Sequence, residues 1–109
     1  MTYLKGLFKT IDVIANPTCA QTAERILESD ESGCWKFGAT LRYMMYVKLA
    51  NYSGIPSITV PSGFAPNGLP TGIMLSGNWY SEEVLFKIGH VLDLDHKREK
   101  PEVFTDLLQ

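Results

Sequence analysis

The side chains with chemistry to offer are a scattered set of serines, two cysteines, two histidines and the carboxylate of Asp93. Ser29, Ser32, Ser53, Ser57, Ser62, Ser76 and Ser81 each stand alone, none in a glycine-rich run with a second serine beside it. Ser57 or Ser62 with His90 and Asp93 would supply the atoms of a Ser-His-Asp hydrolase, in which imidazole takes the hydroxyl proton and the carboxylate orients the ring. Such a set is defined by geometry, and the local pattern speaks against it. His90 falls roughly opposite the Ile88, Val91 and Leu92 stripe of its helix, on the solvent side, and Asp93 three residues on reads as its surface neighbour. Cys19 and Cys34 are alternative nucleophiles, but buried or idle thiols are the simpler reading. They are widely spaced and form no C-x-x-C pair, so with two distant histidines they make a poor metal site. No metal and no cofactor are expected.

The elements that would have to position such groups are few. The chain has 109 residues, enough for one small domain, with 45% hydrophobic and 20% charged residues, the composition of a soluble globular chain. A net charge of −2 gives no basis for a nucleic-acid or anionic-membrane partner. Lys97, Arg98 and Lys100 are interleaved with Asp95 and Glu99 and read as a solvated tail. No apolar run is long enough to span a bilayer, and the amphipathic start with Lys5 and Lys9 lacks the continuous apolar stretch of an export signal. Two reduced thiols in a cytoplasmic protein are therefore expected.

Tyr3, Leu4, Leu7 and Phe8 recur at helical spacing and predict a short opening helix. Ile11, Val13 and Ile14 predict a buried strand stopped at Asn16-Pro17, where proline withdraws a ladder donor. Thr22 to Glu28 has moderate helical character, and Ser29 to Gly33 reads as a surface loop. From Lys36 to Tyr52 apolar residues cover most of a helical cylinder without interruption, which predicts one buried helix ended by Gly54 in the left-handed region. That helix asks for more covering surface than so short a chain readily provides.

Ser57 to Val60, fenced by Pro56 and Pro61, and Thr71 to Leu75 predict two strands that pair across the loop Ser62 to Pro70, with Asn67-Gly68 supplying the turn. Ser81 predicts the cap of a last helix, with Glu82 and Glu83 in its first turn and Val84, Leu85, Ile88, Val91 and Leu92 as its apolar stripe. Beyond Asp95 the chain is charged, with a small apolar ending at Val103, Phe104, Leu107 and Leu108.

Three segments, in this order, carry a family resemblance. Asp12-Val13-Ile14-Ala15-Asn16-Pro17-Thr18 is similar to a D-apolar-apolar-x-x-P-T strand. The run from Ala50 to Gly63 is similar to A-N-x-x-G-x-P-[AS]-I-[ST]-V-P-x-G, and the run from Gly68 to Gly77 to G-L-P-x-G-[IL]-Q-[IL]-x-G. With the closing Lys100-Pro101-Glu102-Val103-Phe104, the chain resembles the C-terminal part of amidase-signature enzymes, in particular the fatty-acid amide hydrolase-like branch. Met74 departs from the family's usual glutamine, and Ser53 from a small or apolar residue.

The resemblance implies an α/β fold, the C-terminal portion of the amidase-signature architecture, with mixed sheet strands flanked by helices and incomplete as a stand-alone domain. It implies residues 1–109 as one fragment of that domain. The family's chemistry uses a Ser–cis-Ser–Lys triad in a Gly- and Ser-rich stretch, which has no counterpart here, so no catalytic residue is expected and the chain alone should be inactive. What the resemblance transfers is substrate-side lining: Thr18, Cys19, Met44, Met45 and Tyr46 are candidates for contacting an acyl chain, with ordinary core packing as the alternative for the helical residues. The partners it implies are a small-molecule amide in the parent enzyme and the missing N-terminal part or a full-length homologue. A truncated, non-enzymatic scaffold acting as a partner-binding module is the other reading.

Overall fold

The computed structural model of the chain describes residues 1–24 and 37–95, apart from the side chains of Phe37 and Ala39. The expectations for the stretch from Arg25 to Lys36, with Cys34, and for the tail beyond Asp95, with His96, lie outside the described residues.

The opening helix α1 spans Thr2–Leu7, buries Leu4 and closes with the Thr10 hydroxyl donating to the Leu7 carbonyl at 2.9 Å. β1 follows at Val13–Pro17 and ends at the proline, but none of its residues is fully buried, so the expected buried strand is instead a half-exposed edge of the three-stranded sheet. The long apolar stretch does not form one helix. It splits into α2, Phe37–Tyr43, and α3, Lys48–Ser53, separated by a turn over residues 44–47. The break shows in the hydrogen bonding: the Met44 amide still reaches back four residues to Thr40, whereas the Met45 amide reaches back three to Arg42. Tyr43, Tyr46 and Val47 are modest helix formers with restricted χ1. Arg42 and Tyr43 at the break are drawn to another segment: the Arg42 guanidinium donates to Gln21 Oε1 at 3.4 Å, and the Tyr43 hydroxyl accepts from the Glu24 amide at 3.1 Å. Nor is the region buried: Leu41, Met44, Met45, Leu49 and Tyr52 are all exposed. Gly54 caps α3 as expected, at φ 69°, its amide donating to Ala50 at 2.8 Å.

β2, Ser57–Phe64, and β3, Pro70–Gly77, are both longer than their sequence signals. Pro61 does not end β2. The strand runs through it into a bulge, pairing Pro61 with Gly72 and Gly63 with Thr71 and leaving Ser62 extra. An edge strand tolerates proline because its outward side needs no donor, and Gly63 at φ 108° absorbs the bend. The loop shrinks to residues 65–69, where the Gly68 amide donates to Ala65 and the Ala65 amide to Leu69, both at 2.9 Å.

β3 is central in the sheet order β1-β3-β2. The α/β class is as expected, and within these three strands every pairing is antiparallel. α4, Glu82–Asp95, packs on β2 and β3. Gly89 permits that approach, since a Cβ there would stand 3.3 Å from Ile58 Cδ1 and 3.4 Å from Val60 Cγ1. The core is Leu75 and Met74 of β3, Val60, Leu85 of α4, Ile55 and Leu4. Ser81 precedes α4 as expected, but its hydroxyl donates back to the Asn78 carbonyl at 2.6 Å. The buried side of α4 is centred on Leu85 and Gly89, while Val84 and Val91 of the predicted stripe are exposed.

Candidate functional site

A cleft of about 1110 Å³ opens between the segment following β1 and the hairpin of β2 and β3. Its walls are largely apolar, with Pro17, Ala20 and Ala23 on one side and Val60, Pro61 and Ile73 on the other. Its polar content is a group of hydroxyls together with the amides of Asn16 and Gln21, and sheet register places the hydroxyls of Thr18, Thr59, Ser62 and Thr71. Thr18 continues past β1 beside β3, its amide donating to the Gly72 carbonyl at 2.9 Å. Its hydroxyl lies 3.4 Å from that of Thr59 on the far strand, bridging over Gly72. Ser62 at the bulge lies 3.1 Å from the Thr71 hydroxyl, which itself donates to the Gly63 carbonyl at 3.1 Å.

The wall over residues 18–24 is pinned at several points. Thr22 accepts from Asn67 of the hairpin turn at 3.0 Å, Gln21 donates to Glu24 at 2.7 Å, and Arg42 and Tyr43 of α2 hold Gln21 and the Glu24 amide. Most of these bonds join segments far apart in sequence. The cleft is thus a product of tertiary structure.

Of the residues anticipated as substrate lining, Thr18 and Cys19 line this cleft, and Cys19 is an exposed free thiol. Met44, Met45 and Tyr46 sit on the turn between α2 and α3 and are not among its lining residues. Tyr43, one residue earlier, is. Thr59, Thr71 and Gly72 also line it, and their signal in the sequence was indirect: hydroxyl and glycine positions on two strands whose register the bulge decides.

The Ser-His-Asp set is not assembled. Ile58 meets Gly89 of α4, so Ser57, alternating with it, faces the other side of the sheet, where its hydroxyl lies 2.8 Å from that of Ser76. Ser62 lines the cleft; His90 is exposed on α4, and neither it nor Asp93 is a lining residue. Among the described residues no group of three or more His, Cys, Asp or Glu could hold a metal ion, and no helix is long and apolar enough to cross a membrane.

The described residues thus form a three-stranded antiparallel sheet backed by α4, with a hydroxyl-bearing cleft along the hairpin. Among solved structures, a glutamyl-tRNA(Gln) amidotransferase subunit from Thermotoga maritima is similar over 95% of this chain and 23% of its own, with a TM-score of 0.75 and 25% identity. The model of the Amidase family matches residues 1–86, and the chain belongs to that family. Fatty acid amide hydrolases from Arabidopsis thaliana and Oryza sativa subsp. japonica are 36% and 35% identical, each over 99% of this chain. The corresponding glutamyl-tRNA(Gln) amidotransferase subunit from Prochlorococcus marinus is 35% identical over 81% of it. The chain spans 18% of the length of each of these curated relatives.

Proposed function

We propose that these residues are the C-terminal segment of an amidase-signature domain in an amide hydrolase, forming a wall of its substrate cleft, and that the chain by itself does not hydrolyse amides. The observation that carries this reading is the state of the cleft hydroxyls. With the Thr71 proton directed to the Gly63 carbonyl, Ser62 is left to donate to Thr71, and Thr18 to Thr59. Each is tied to a neutral partner, and no lysine or histidine is among the described lining residues to take a proton from any of them. The sequence also contains no glycine-rich run with neighbouring serines that could supply a Ser–cis-Ser–Lys triad and its oxyanion donors.

On this reading the substrate of the whole enzyme is a small-molecule amide, and Thr18 and Cys19 lie on its path. The exposed free thiol of Cys19 fits a reducing, cytoplasmic setting. The purified chain, incubated with long-chain and aryl amides, is expected to give no hydrolysis above background. Turnover that a single serine substitution abolishes would overturn the proposal.

A second reading is a non-enzymatic module that binds a partner, and the exposed apolar residues of α2 and α3 favour it. Size exclusion with light scattering separates the two, since a clean monomer with a cooperative melt argues against obligatory association.

A further inference from the structure

We infer that the hydroxyl protons of Thr22, Tyr43 and Thr59 make the cleft a site for the carbonyl group of an uncharged ligand, an amide with an apolar tail, and set its selectivity against charged head groups. The inference deepens the function proposed above by naming how this wall recognises a substrate, and it rests on that reading for the amide.

The first observation is the direction of the hydrogen bonds. Six hydroxyls belong to the described residues that line the cleft. Those of Thr71, Ser62 and Thr18 spend their protons inside the protein, on the Gly63 carbonyl, on Thr71 and on Thr59. The other three only accept. Thr22 takes a bond from the Asn67 side-chain amide at 3.0 Å, Tyr43 from the Glu24 backbone amide at 3.1 Å, and Thr59 from Thr18 at 3.4 Å. A hydroxyl that accepts still has a proton to give, and the accepted bond polarises it into a better donor. The three come from separate segments, the stretch after β1, α2 and β2, so the cleft itself is what brings their protons to one space.

The second observation is charge. None of the described lining residues is Asp, Glu, Lys, Arg or His, although 20% of the chain is charged. Glu24 and Arg42, the charged residues tied to the wall, are both held by Gln21, which donates to the first and accepts from the second, and neither lines the cleft. A carboxylate or ammonium group entering this space would lose water without meeting an opposite charge. An ammonium group, a donor only, would also face hydroxyl protons. An amide carbonyl carries no charge and has two lone pairs to accept with, and an alkyl tail suits the Val60, Pro61 and Ile73 side of the cleft.

The test titrates octanamide, octanoate and octylammonium, which share one tail length, into the chain at neutral pH, followed by NMR. The amide is expected to bind about tenfold or more tightly than either ion, with the resonances of Thr22, Tyr43 and Thr59 shifting most. Tyr43→Phe and Thr22→Val, each removing one donor, should each weaken the amide about threefold to tenfold. Thr22→Ser should restore binding, and Ser62→Ala, which removes a proton already spent, should leave it within about twofold. A thermal melt checks that each variant is folded; if Thr22→Val is not, Tyr43→Phe and the ranking of the three ligands still decide. An ion bound as tightly as the amide, an equal loss with Ser62→Ala, or no binding of any of the three by the folded chain would overturn the inference. Hydrolysis of octanamide by the chain alone would sink the proposed function, while the ligand ranking would still support the site.

Discussion

Gly72 lies directly beneath Thr18. A Cβ on Gly72 would stand 3.0 Å from Thr18 Oγ1, 3.1 Å from Thr59 Cγ2 and 3.4 Å from the Val60 carbonyl oxygen. The absence of a side chain on the central strand is what lets the segment after β1 and strand β2 meet across it. Thr18 and Thr59 then share a hydrogen bond, and both line the cleft with Gly72.

Gly72→Ala should therefore cost about 1 kcal/mol, overpacking being partly offset by the lower chain entropy of alanine when unfolded. Urea denaturation checks the value. Because Thr18 and Thr59 must move apart, the rate of thiol labelling at neighbouring Cys19 should change as well. An unchanged stability with unchanged labelling would show that the close approach is not needed.

Leu85 and Val91 belong to the same apolar stripe in sequence, yet they differ in burial: Leu85 is 3% exposed and Val91 64%. Leu85 packs where β3 turns into α4, against Gly77, whose missing Cβ would sit 3.3 Å from it. Leu85→Ala should destabilise the chain by roughly 2–4 kcal/mol through lost burial and a cavity, whereas Val91→Ala should change stability by less than about 0.5 kcal/mol. Comparable losses at both positions in chemical denaturation would mean that Val91 is covered in solution.

Tyr80 is the one non-glycine residue with positive φ among the described residues, at 61°, and it is 96% exposed. A left-handed backbone costs an L-residue roughly 1–2 kcal/mol, and glycine escapes that cost while losing more entropy on folding. Tyr80→Gly should raise stability by about 0.5–1 kcal/mol, the difference of those terms. A thermal melt decides it, and a lower midpoint would point to a packing role for the ring.

The α1, β1 and α4 elements and the Gly54 cap were legible because each depends on contacts within a few residues: apolar periodicity, a proline at a strand end, a glycine free to adopt positive φ. The family was legible for the same reason, since proline fences and glycine turns recur as short fixed motifs. The helix break at residues 44–47 was not, because its accompanying bonds run from Arg42 and Tyr43 to Gln21 and Glu24, about twenty positions away. β2 extends through Pro61 because β2 is an edge strand, a property of the sheet that no local pattern encodes.

By itself the sequence determined the order of most helices and strands, where glycine must supply a turn, and to which family the chain belongs, but not the break at residues 44–47 or the run of β2 through Pro61. Tertiary structure alone decided which apolar faces are covered and which hydroxyls meet. Burial and cross-strand contact depend on register and on neighbours distant along the chain: Thr18 finds Thr59 only when β3 lies between them, and Met45 is left open because nothing in the described structure packs over it sufficiently to bury it.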